Sequence, residues 1–321
     1  ADALALLLPA HAVHTLLVLA TLLGNGLGGY LLARQVGARA PAAATTAALL
    51  CLAGAGAWAV NTGNLEYGFW LWICLYLRSL HALVHGGSWR DGLMAGGLFA
   101  MAVLTNQALG HALAGLGLLI VVWRVRQLTR PQWLGLAAAL AAATILLTPL
   151  ALVYVTASLD HAQPMVLSAT DMEEGGGALY RSNSWSPAHC LPWNHGGPPA
   201  GAAIDFHPDD ATTPWTLWIT LALAPLLVRR TAMVWWIGAV VFFVLALGPH
   251  LVLGDPGDGT ERLLPLPGYL ALRTVPLYHR VTFPHRLFAL TFVCLGVVAA
   301  LVAQHLVEIA SKARTFTLGR A

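Results

Sequence analysis

The run Arg273-Thr-Val-Pro-Leu-Tyr-His-Arg280-Val-Thr-Phe-Pro-His285-Arg286 places three guanidinium groups and two imidazoles in one short stretch beside an apolar segment. A guanidinium presents a planar fork of donors that fits two phosphate oxygens at once. A cation at the edge of the hydrocarbon is costly unless a partner or a ligand meets it. Arg273, Arg280, His285 and Arg286 therefore read either as a clamp for a lipid phosphate or pyrophosphate, or as cations paired with Asp255, Asp258 and Glu261 or with lipid headgroups. A second set gathers at one end of several apolar segments. It comprises His11 and His14, then Asn61, Asn64, Glu66 and Tyr67, then Asn106, Gln107 and His111. Polar groups at one depth on several helices predict a hydrated cavity open to that side. Glu66 is its one carboxylate, hence either a metal ligand or general base, or a solvated loop acid. A third set, Asp171-Met-Glu173-Glu174, could hold a divalent cation such as Mg or Mn through oxygen ligands. It has no EF-hand spacing, so a solvated acidic turn is the plain alternative. His189-Cys190 with His195 and His207 fits no standard zinc spacing. Trp185 and Trp193 either stack on a sugar face or seat their loop on a membrane interface.

The elements that must position these groups are membrane spans. Hydrophobic residues make up 58% of the 321-residue chain and charged residues 10%, against about 25% charged in a soluble domain. The apolar segments divide into nine spans, at 12–33, 42–61, 66–84, 92–106, 108–123, 133–156, 215–228, 231–250 and 286–308. The fold class is all-α and polytopic. A membrane domain covers 1–156, a large loop 157–214, and a second membrane domain 215–321, with an interfacial loop at 251–285. Several spans fall short of the ~20 residues that cross the hydrocarbon core. The fourth and fifth read equally as two short helices meeting at Asn106-Gln107. Within 251–285, the stretch Leu264-Pro265-Leu266-Pro267-Gly268-Tyr269-Leu270 reads as a short amphipathic helix on the interface.

Charge then sets the orientation. Arg34, Arg39, Arg78, Arg90, Arg124, Arg126, Arg130, Arg229, Arg230, Lys312, Arg314 and Arg320 fall on one side of the alternating spans, and most acids fall on the other. Positive charge is retained in the cytoplasm, so the long loops face outward and the C-terminus inward. The same dispersal leaves no continuous basic surface and excludes nucleic acid as a partner. Cys51, Cys74 and Cys294 sit in apolar segments and Cys190 stands alone in the large loop, so no disulfide is expected. Gly24 and Gly28 form a small-xxx-small pair for close helix packing, with Asn25 beside them set to bond a neighbouring helix.

Four segments, in order, resemble bacterial GT-C-type membrane glycosyltransferases, including the YfhO-like group. They are Leu27-Gly-Gly-Tyr30-Leu-Leu-Ala-Arg34-Gln-Val-Gly37-Ala38, Arg90-Asp-Gly92-Leu-Met-Ala95-Gly96, Leu247-Gly248-Pro249, and Val275-Pro276-Leu277-Tyr278-His-Arg280-Val-Thr-Phe-Pro284-His-Arg286. The last carries one extra residue between Arg280 and Pro284. The resemblance implies an inner-membrane enzyme that moves a sugar from a polyprenyl-phosphate carrier to an acceptor on the outer face. It implies that the Arg280/Arg286 region holds the carrier phosphate, and that a catalytic carboxylate lies in the first outer loop. The chain opens Ala1-Asp2-Ala3 without Met, so that loop is expected upstream of Ala1. The competing class is a non-catalytic membrane subunit that docks a protein partner through its outer loops. A transporter is disfavoured, because charges avoid the span centres and no internal repeat is evident.

Overall fold

The structure is a computed structural model, and it describes residues 9–52, 69–160, 215–227, 232–246, 250–253, 262–265, 267 and 287–318. Nine α-helices occur among them. They are α1 (Ala10–Val36), α2 (Ala40–Leu52), α3 (Leu71–Val84), α4 (Trp89–Thr105), α5 (Gln107–Arg124), α6 (Arg130–Asp160), α7 (Trp215–Leu227), α8 (Met233–Ala246) and α9 (Phe288–Leu318). Four of them contain stretches long and apolar enough to cross a membrane: His11–Val36, Leu109–Gln127, Arg130–Val153 and Phe288–Ser311. Leu23, Leu118, Leu140 and Ile145 stand exposed on these helices, at up to 71% of their surface. So much apolar side chain in water would drive aggregation, and lipid is its natural solvent. The chain is a helical, membrane-embedded protein.

α9 forms the core. Leu290, Val293, Cys294, Val297 and Val298 on it are fully buried, and it packs against α2, α7, α8 and α1. Trp70, at the start of α3, stacks on Phe292 with ring centroids 6.1 Å apart. Thr46 of α2 donates its hydroxyl to the Gly296 carbonyl at 2.7 Å. Such an interhelical bond contributes only about 0.6 kcal/mol in a membrane, and association there gains little from the hydrophobic effect. Close van der Waals approach must therefore carry the packing.

The glycines provide that approach. A Cβ at Gly28 would stand 2.9 Å from the Cβ of Cys74, and Gly24 meets Phe69 and Leu71. Those two face α3, as the small-xxx-small spacing predicts. Gly26 and Gly29, on the same helix, meet Cys51, Leu50 and Thr46 of α2. One helix thus carries two small-residue stripes for two neighbours. In α4, Gly92 and Gly96 let the backbone of α6 in, where a Cβ would strike the carbonyls of Gly135 and Ala139.

Local signals set the helix ends. Gly37 ends α1 at φ 109°, with Ala38 N–H returning to the Ala33 carbonyl at 3.0 Å; a side chain there would strain the backbone. Asp91, an acid on the arginine-rich side, caps α4: its Oδ2 accepts from the Ser88 N–H at 2.7 Å and the Ser88 hydroxyl at 3.0 Å. α4 and α5 are indeed two helices that meet at Asn106, whose Oδ1 accepts from the Leu109 N–H at 3.3 Å.

One expectation is corrected at its first residues. His250–Leu253 and Arg262–Pro265 form an antiparallel ribbon, β1 and β2, with Leu251 opposite Leu264 and His250 opposite Pro265. Leu264-Pro265 is therefore strand, not the start of an interfacial helix. Proline has no N–H for a helix interior yet is tolerated at a strand end. The Gly254-Asp255-Pro256-Gly257-Asp258-Gly259 run between the strands is the composition of a hairpin connection.

Candidate functional site

The predicted site residues divide sharply. His11 and His14 lie exposed on the first turns of α1, His111 is exposed on α5, and Gln107 is the first residue of α5. Asn106 is buried as the α5 cap. Its cap role uses one side-chain atom, while its Nδ2 is buried with no hydrogen bond. Asn61, Asn64, Glu66, Tyr67, Asp171, Glu173, Glu174, His189, His195, His207, Arg273, Arg280, His285 and Arg286 lie outside the described residues. Asn25 is buried on α1, and its Oδ1 accepts from the Trp70 backbone N–H at 2.6 Å. That N–H opens α3 inside the bundle, where no water satisfies it.

The densest polar cluster among the described residues is one the sequence reading passed over. It sits at the arginine-rich end of the bundle, where the ends of α3 and α5 meet the start of α8. His81 and His85 are one helical turn apart on α3, and their rings stack with centroids 3.9 Å apart and planes 24° apart. His85 Nδ1 lies 2.9 Å from the His81 carbonyl oxygen. A carbonyl only accepts, so this nitrogen carries the proton and Nε2 is left for other partners. Arg124, the last residue of α5, completes the cluster. A cavity of about 380 Å³ opens here, its polar wall made by His81, His85, Arg124 and Gln127. Trp123, Ile120 and Val234 supply the apolar wall. The volume suits a small ligand.

The electrostatics of this cavity favour an anion. Among the described residues that line it there is no Asp or Glu, and Arg124 supplies a fixed positive charge. Partial burial, with Arg124 nearby, holds the His85 imidazole below the ordinary histidine range, despite the opposing bond to the His81 carbonyl. His81 is 8% exposed. Its Nδ1 and the Arg124 Nε are buried with no hydrogen-bond partner, as is the Nε1 of nearby Trp235. Such atoms in a native protein call for an explanation, a water or an ion among them. The available signal was the spacing of His81 and His85, which places two imidazoles on one helix face.

The chain matches no family model, no curated protein and no solved structure. Among the described residues no group of three or more His, Cys, Asp or Glu is placed to hold a metal ion. Another charged pair at this end is structural. Arg39 lies 3.6 Å from Glu308, and its backbone N–H donates to Gln304 Oε1 at 2.7 Å, which ties the α1–α2 turn to α9. Both groups are solvent-accessible, and such a pair contributes at most about 1 kcal/mol.

Proposed function

We propose that the chain belongs to a GT-C-type membrane glycosyltransferase that moves a sugar from a polyprenyl-phosphate carrier to an acceptor at the outer face of the membrane. The observation that carries this reading is the ordered series of four segments ending in Val275–Arg286. The close-packed glycines of the first two, Gly28, Gly29, Gly92 and Gly96, support it by accounting for two of those segments as the packing seams of a membrane bundle. A carboxylate outside the described residues takes the acceptor hydroxyl proton as the hydroxyl attacks the sugar. Glu66 is the candidate within the chain. The bond from sugar to carrier phosphate breaks, and its electrons leave with the phosphate. Arg280 and Arg286, with Arg273 and His285, meet that developing charge at a partly dehydrated site, where fixed donors stabilise it most. Asp171, Glu173 and Glu174 are the candidates for a divalent cation.

The test is sugar transfer in proteoliposomes holding the full-length protein and a polyprenyl-phosphate sugar. Arg286→Ala should cut turnover by roughly 10²–10³-fold, the usual effect of removing one charge-stabilising donor, while the helical circular dichroism stays unchanged. Full turnover in that variant removes the clamp.

A second reading, a non-catalytic membrane subunit that docks a partner through its outer loops, is compatible with the same packing. The glycines of the resembling segments that the structure describes serve helix packing, and packing persists without catalysis. Folded full-length protein that transfers no sugar, yet co-purifies with one outer-face partner, would select this reading.

A further inference from the structure

We propose that the cavity bounded by His81, His85, Arg124 and Gln127 is a binding site for a phosphate-type anion at the arginine-rich end of the bundle. The proposal uses none of Arg273, Arg280, His285 and Arg286 and does not rest on the glycosyltransferase reading. Three observations converge on it. First, the cavity holds about 380 Å³ and opens at the ends of three helices. A phosphate group with part of an attached glycerol or sugar fits that volume.

Second, among the described residues its polar wall has donors and no carboxylate. Arg124 and Gln127 offer N–H groups, and His81 and His85 add two imidazoles with stacked rings. A metal cation is the poorer occupant. Two histidines make an incomplete ligand set, and the Arg124 charge repels it. An anion reverses both problems. It pairs with the guanidinium, and it stabilises the charged form of any imidazole it touches, which turns His85 Nε2 into a second donor.

Third, the wall is built and left unsatisfied. His81 is more than nine-tenths buried, and its Nδ1 and the Arg124 Nε lack hydrogen-bond partners. Buried polar atoms in this state cost free energy, and both side chains belong to the cavity wall. Trp123, half-exposed on the same wall, is suited to a membrane interface. It places the cavity at headgroup depth, where a lipid phosphate and a soluble phosphate ester both arrive. Basic pockets between spanning helices bind anionic headgroups in this way.

The experiment is thermal unfolding of the full-length protein, monitored by helical circular dichroism, in two formats. In neutral detergent, inorganic phosphate is titrated against chloride at matched ionic strength. In nanodiscs, phosphatidylcholine is compared with phosphatidylcholine containing phosphatidic acid. A phosphate-dependent rise of several degrees in detergent identifies a soluble phosphate source. A rise confined to phosphatidic acid identifies the lipid headgroup. In either case Arg124→Gln and His85→Asn should each reduce the apparent affinity at least tenfold, whereas Arg126→Gln, an exposed neighbour, should leave it unchanged. If Arg124→Gln does not fold, His85→Asn alone decides. No shift in either format overturns the proposal. So does a shift that Arg126→Gln lowers as much as His85→Asn, since that would report general surface charge.

Discussion

At the scale of single residues, the structure depends on a few polar atoms that apolar surroundings make expensive. Asn25 is the clearest. Its carbonyl oxygen takes the N–H of Trp70 at 2.6 Å, and an apolar replacement would leave that donor buried. Asn25→Leu should lower stability by about 1–3 kcal/mol, read as a lower midpoint for loss of helix in a denaturing detergent titration; an unchanged midpoint would show that the bond is dispensable. His85 gives a pH dependence of definite sign. The folded protein holds its pKa below the ordinary value, so the unfolded chain takes up the proton first as pH falls. Stability is then full above the unfolded pKa of about 6.5 and declines below it. Thermal midpoints measured between pH 7.5 and 5 should fall in the native protein, and His85→Asn should flatten that slope. A midpoint that rises on acidification would reverse the sign assigned to this imidazole.

At the scale of elements, the helices pair where glycine removes the side chain between them. Four glycines on α1 serve two neighbours, and Gly92 and Gly96 admit α6. α6 is otherwise exposed along most of its length, with Leu140 and Ile145 uncovered, so α4 is its principal anchor. Gly96→Leu puts a branched chain where a single Cβ already meets the Ala139 carbonyl. Overpacking of this kind costs about 1–3 kcal/mol or more. The expected result is selective loosening of α6, seen as faster hydrogen exchange across 130–153 with α9 unchanged; uniform exchange would mean that α6 is held by something other than this seam. Small-xxx-small spacing was legible in the sequence for Gly24 and Gly28. The same spacing occurs at Gly92 and Gly96, but spacing names no partner. Gly135 and Ala139 lie some forty residues downstream, and only the fold brings them into register.

At the scale of the molecule, the ends that charge counting assigns to one side meet in space. The end of α3 and the end of α5 meet the start of α8 around one cavity. The starts of α4 and α6 touch through Gly92 and Gly135, and the α1–α2 turn reaches the C-terminal part of α9 through Arg39 and Glu308. Exposed Trp89, Trp123 and Trp133 lie at this same end, as an interfacial belt requires. The reading that this end is cytoplasmic has a direct test. With the four native cysteines replaced, Arg126→Cys should react with an impermeant maleimide only in inverted vesicles, and Ser182→Cys only in whole cells. The opposite pattern would invert the topology.

The sequence by itself determined the helical, membrane-embedded class and the glycine spacing of α1, because these are set locally by hydropathy and composition. It missed the β1–β2 ribbon, whose Leu264-Pro265 pair reads locally as the start of an interfacial helix; strand pairing is a non-local choice that only a partner segment makes. It also passed over His81, His85 and Arg124. Two histidines on one helix and an arginine at the end of another are unremarkable until packing encloses them together. The tertiary structure decided which polar groups lose their water, and that loss of solvation turns three ordinary side chains into a candidate site.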